Sequence, residues 1–119
     1  MSLEGDIYSA LSGLVSGRVF PDLAPHETAV PYITYQQIGG AAENFLEATF
    51  VGKRNSRVQI NCWASTRLAA NDLARDAEEA LIESDLKAYV LGAFGNFAPP
   101  DPGDAEQHYG THQDFSVWY

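Results

Sequence analysis

Apolar residues Leu3, Ile7, Leu11, Leu14 and Val15 recur at intervals of four, four, three and one. That spacing places them on one face of a helix and predicts an amphipathic helix over 3–16. Ser2 is positioned to cap it, Glu4 and Asp6 suit the positive end of its dipole, and Gly17 suits its stop. Pro21 and Pro25 mark the next stretch as a loop, with Val19-Phe20 as a short strand or anchor. The β-branched and aromatic run 32–38, opened by Pro31 and closed by Gly39-Gly40, predicts a strand, and a further extended segment is expected over 45–51.

The clearest strand covers 57–63. Val58, Ile60 and Cys62 fall on one face and Arg57, Gln59 and Asn61 on the other, because side chains alternate along a strand. The polar stretch 52–56 suits an antiparallel hairpin with the preceding segment. A second helix is predicted over 67–87, capped by Ser65 or Thr66. Leu68, Ala69, Leu73, Ala77, Ala80 and Leu81 form its apolar stripe, with Asp72, Asp76, Glu79 and Glu83 on its other faces. Residues 89–110 read as turn and loop, the proline-rich 99–103 most firmly. Over 113–119, Phe115, Val117 and Tyr119 alternate with Ser116 and Trp118, which predicts a terminal strand that must be paired within the sheet. The pattern is α+β: a mainly antiparallel sheet of about four to five strands with two principal helices packed on it. With 119 residues, one domain over 1–119 has enough surface to bury for a single core.

Charge narrows the partners. The formal net charge is −9, which repels phosphate backbones and acidic membrane surfaces, so neither sequence-specific nucleic acid nor membrane is expected as a partner. No apolar run approaches the ~20 residues of a membrane span. Against this acidic background Lys53, Arg54 and Arg57 form one basic cluster. A lone cysteine and the lack of a leader-like segment fit a reducing compartment.

Candidate chemistry is sparse. His108 and His112 have Asp104, Glu106 and Asp114 nearby, but on a strand histidines four apart stand about 13 Å from each other, too far for one ion. Only a sharp turn at Gly110 would bring them together. Cys62 lies on the apolar face of its strand, where a thiol behaves as a small hydrophobe. Gly39-Gly40 and the pair Gly92 and Gly95 lack phosphate-loop spacing, and carboxylate pairs such as Glu78-Glu79 or Asp72 and Asp76 read as a solvated helix face. No catalytic residue, metal ligand or cofactor site is therefore assigned. Trp63 and Trp118 point away from the apolar rows of their strands. Aromatic and basic residues commonly anchor interfaces, which makes Lys53, Arg54, Arg57, Trp63 and Trp118 the candidate interface residues.

Several runs in order carry a family resemblance: 1–11, Arg18-Val19-Phe20-Pro21-Asp22, 31–38, 57–64, the helix opening at 67–74, and the closing 113–119. Together they resemble the tail completion, or head-to-tail joining, proteins of long-tailed phages and prophages, long filed as a domain of unknown function. The resemblance implies a structural subunit without catalytic residues. It implies partners among the other tail and head–tail connector proteins, and a six-fold ring of its own copies at the head-proximal end of the tail, assembled in the host cytoplasm. Within such a ring, the cluster Lys53, Arg54 and Arg57 would face acidic residues of 72–85 or 101–106 in the next subunit. The alternatives are a small metal-dependent hydrolase using His108 and His112, and an acidic host-directed inhibitor.

Overall fold

The computed structural model describes residues 3–25, 27–39, 55–84, 86–92, 95–97 and 108–118. Helix α1 covers Leu3–Leu11 and buries Leu3, Ile7 and Leu11. Beyond Leu11 the chain tightens into a 3₁₀ turn, Ser12–Leu14. The α-helix thus ends five residues before the predicted 16, and the change of pitch turns Leu14 outward while keeping Val15 in the core, so Leu14 drops out of the predicted apolar face. Gly17 ends the segment with φ +83, the left-handed conformation for which glycine carries no penalty.

Among the described residues six strands form one mixed sheet: β1 (Val19–Pro21), β2 (Tyr32–Gln37), β3 (Asn55–Ala64), β4 (Lys87–Val90), β5 (Gly95–Phe97) and β6 (Tyr109–Trp118). Their order is β1-β2-β3-β6-β4, with β5 also paired to β6. The sheet is mostly antiparallel, but β1 runs parallel to β2. β3 opens at Asn55, so Asn55 and Ser56, read above as connection, belong to the ladder. The segment expected over 45–51, the Ser2 cap, and the irregular stretch 99–103 lie outside the described residues.

Helix α2 covers Arg67–Glu83, and Thr66 caps it by accepting the Ala69 N–H at 3.1 Å. It stops four residues before the predicted end. Ser84 is extended, its hydroxyl donates to the Leu81 carbonyl at 2.6 Å, and the same Ser84 Oγ accepts the Leu86 N–H at 3.2 Å. The chain thus turns directly into β4, and Lys87 becomes a strand residue. The buried stripe is Ala70, Leu73, Ala74, Ala77 and Leu81. Leu68 falls on the far side of the helix from that stripe and is 75% exposed, which corrects its assignment to the packing face.

Both helices cover one face of the sheet, where Ile33, Tyr35, Val58, Ile60, Cys62, Phe115 and Val117 meet them. The strand predicted over 113–119 is longer and more central than its pattern implied. It pairs with β3 along its whole length and with β4 and β5 on its other side. Residues 87–97, mostly read as loop, supply those two partners. β4 and β5 run in the same direction but differ in register by two residues. From Lys87 to Gly95 the chain advances eight positions, while the facing strand moves six, from Trp118 to His112. The two strands share one side of β6 with two extra residues of sequence between them, and Gly92, just beyond β4, has φ +130.

Candidate protein-binding surfaces

Alternation and register define the open face of the sheet as a set of cross-strand rows. Tyr32, Trp63 and Gly110 form the first, then Thr34, Asn61, His112 and Gly95, then Gln36, Gln59 and Asp114. Arg57, Ser116 and Tyr89 follow, and Asn55, Trp118 and Lys87 close the series. Among the described residues no helix packs on this face. Its side chains bond to one another instead. The Arg57 guanidinium donates to Asp114 Oδ2 at 2.8 Å, Gln59 Nε2 donates to Asp114 Oδ1 at 3.3 Å, and Asn55 Nδ2 donates to Ser116 Oγ at 2.8 Å.

The two tryptophans both lie on this face, as their alternation predicts, but not together. Trp63 stands opposite Gly110 and Trp118 opposite Asn55, so about 26 Å of strand separates them. Trp63 stacks on Tyr32 with ring centroids 5.9 Å apart, and its indole N–H donates to Thr34 Oγ1 at 3.4 Å. Burial raises the Tyr32 phenol above its ordinary pKa. His108 meets the same Tyr32 edge-on at 6.1 Å. Arg57 lies at the opposite end, one row from Trp118, and is half committed to Asp114 within its own chain. Lys53 and Arg54 lie outside the described residues.

Glycine makes room for the large rings. His112 lies across the backbone of its cross-strand neighbour Gly95, where an added Cβ would come within 2.8 Å of the imidazole Cε1. Gly110 continues the ladder opposite Trp63. The turn that a metal shared by His108 and His112 requires is therefore not formed, and the extended chain holds the two residues apart. Among the described residues no group of three or more potential ligands converges.

Between α2 and β6 lies a polar strip that periodicity did not reveal. Thr111, fully buried, places its hydroxyl 2.8 Å from Asn71 Oδ1 and 3.1 Å from Asn96 Oδ1. Gln113 Nε2 donates to Glu78 Oε1 at 3.1 Å and to the Gly92 carbonyl at 3.0 Å. Glu78 is thus tied to the sheet rather than solvated. Because both partners are acceptors, the amide cannot be turned over, and Gln113 Oε1 is left buried without a hydrogen bond. Cys62 is a core residue, as its strand position implies. Burial, and then the charge of Asp76, push its thiol up to about 12. That is the reverse of what a nucleophile needs.

An open groove of about 310 Å³ runs beside the first half of α2, lined by apolar residues of 30–31, 64, 69 and 73 together with Ser65, Asp72 and Asp76. Together with the face on which no described helix packs, it defines the class: a small α+β structural module whose described surface offers contacts and no assembled catalytic group. The family model described as tail completion protein gp17 matches residues 7–119, and the chain belongs to that family. It is a structural phage tail protein of the virion tail, with other tail proteins as its partners. No curated protein matches the chain. Among the described residues no helix is long and apolar enough to cross a membrane.

Proposed function

We propose that the chain, as one domain over 1–119, is a ring subunit that completes the tail or joins it to the head, with no catalytic role. The family match over nearly the whole chain carries this reading. Ring subunits meet through two different patches, and complementary charge suits such a contact. Lys53 and Arg54, with what Arg57 retains beyond its bond to Asp114, form the basic patch. The α2 groove forms the acidic one: its apolar walls would take the stem of a lysine or arginine, and Asp72 and Asp76 its charge. The ring is six-fold, forms in the host cytoplasm and sits at the head-proximal end of the tail, and it reads no nucleic-acid sequence.

The experiment is removal of the gene from its phage or prophage followed by complementation. Cells lacking the chain should accumulate heads and tails that do not join, and gold-labelled chain should decorate one end of complemented tails. Normal particle yield without the chain would end this reading.

A further inference from the structure

The two edges of the sheet are finished differently. At β1, the Arg18 carbonyl accepts the Ile33 N–H and the Asp22 N–H donates to the Tyr35 carbonyl, both at 2.9 Å, so Val19 and Pro21 face outward. The Val19 N–H is turned back onto the Gly17 carbonyl at 2.9 Å. Pro21 has no N–H, and its carbonyl accepts the Leu23 N–H at 2.7 Å. Of the groups an added strand would use, only the Val19 carbonyl is left.

At β4 the Leu91 N–H donates to the Asp114 carbonyl at 2.9 Å, which fixes the alternation. Lys87, Tyr89 and Leu91 face β6, while Ala88 and Val90 direct N–H and C=O away from it. None of these four groups has a partner among the described residues. Ile82, Tyr89, Val90 and Leu91 are exposed along this edge, beside a groove of about 410 Å³ between the end of α2 and β4. An edge with unpaired backbone groups and apolar flanks is a template for another strand.

We propose that β4 pairs with β4 of a second copy of this chain, antiparallel about a two-fold axis at Tyr89. In that register Ala88 stands opposite Val90 of the second copy and Val90 opposite its Ala88, so all the outward groups of both edges close four hydrogen bonds. A register centred on Ala88 would set Val90 against Leu86, whose N–H is already given to Ser84. One centred on Val90 would set Ala88 against Gly92, whose φ of +130 departs from extended strand. Charge agrees with the Tyr89 register. Lys87 of the second copy falls opposite Leu91, whose neighbour across β6 is Asp114, so the lysine stem crosses an apolar residue toward a carboxylate. The contact is self-complementary and closes at two copies, so it is separate from any head-to-tail ring contact and does not rest on the ring reading.

Sedimentation equilibrium of the full chain across a concentration series tests it. The expected result is a monomer–dimer equilibrium, with exchange protection of the Ala88 and Val90 amides rising with concentration. Val90→Pro removes an outward N–H without touching the β6 ladder, and Tyr89→Lys sets like charges opposite each other on the axis. Each should raise the dimer dissociation constant by about tenfold or more, with Tyr89→Lys deciding the matter where Val90→Pro does not fold. A single-chain mass at every concentration, or an association that Tyr89→Lys leaves unchanged, would overturn the proposal.

Discussion

The imidazole of His112 lies across the backbone of Gly95, and a side chain on that glycine would occupy space the ring already fills. Gly95→Ala should therefore displace His112 and destabilise the fold by about 1–3 kcal/mol, the usual range for overpacking. His112→Ala with Gly95→Ala should recover part of that loss, because removing the ring removes the clash. Chemical denaturation of the two single variants and the double variant measures the coupling. Equal and additive losses would show that the two residues act separately.

Gln113 is held by two acceptors, Glu78 and the Gly92 carbonyl. Gln113→Glu replaces the donor with a second carboxylate and should cost about 2–4 kcal/mol at neutral pH. Like charge raises the pKa of the introduced carboxyl in the folded state above its unfolded value. Stability relative to the parent should therefore be highest at acid pH and fall as pH rises through that folded pKa. Urea titrations of both proteins at pH 4 and pH 7 give the comparison.

The Cys62 thiol, pushed up to about 12 by burial and Asp76, keeps its proton in the folded chain after the unfolded chain has begun to lose its own near pH 9. A raised folded pKa means that stability is intact below the unfolded value and lost above it. The decline is about 1.4 kcal/mol per pH unit between the two values. Cys62→Ala should remove that component of the alkaline decline, leaving the part owed to Tyr32 and Tyr35, whose pKa values are also raised. Native protein should react with a thiol reagent only at the rate at which it opens, which a comparison with hydrogen exchange of the β3 amides establishes.

Arg57 and the two basic residues before it should separate on mutation. The Arg57–Asp114 pair is half exposed on the arginine side, so Arg57→Ala should lower stability by no more than about 1 kcal/mol. Lys53→Glu with Arg54→Glu should leave stability within about 0.5 kcal/mol but prevent incorporation into tails in a complementation assay. Normal incorporation of that double variant would remove the basic patch from the proposed ring contact.

Local pattern carried much of the fold. Alternation over Val58, Ile60 and Cys62 gave the correct inner face of β3, placed Trp63 and Trp118 on the open face, and made Cys62 a core thiol. What failed depends on partners distant in sequence. β4 and β5 are short and broken by Gly92 and Gly95, and they exist because β6 offers an unfilled side; no periodicity within 87–97 announces that. Glu78 resembles its solvated neighbours until the Gln113 amide, 35 residues on, is placed against it. Leu68 is apolar by composition but sits on the wrong side of a stripe fixed by Leu73, Ala77 and Leu81. For the interface residues, sequence supplied types and not proximity: Trp63 and Trp118 belong to opposite ends of one surface, and Arg57 accompanies only the second.

The self-satisfied backbone of β1 has a further meaning in the language of polymer chemistry. A unit that can add strands at both edges is bifunctional and grows without limit, as fibrils do. With Gly17 and Leu23 taking up backbone groups of one edge and Pro21 offering no N–H, the sheet of the described residues is monofunctional in strand addition: in the proposed pairing one joining event consumes its open edge and growth stops. A protein held at high local concentration while a particle is built can thus display an open strand without seeding a filament of itself.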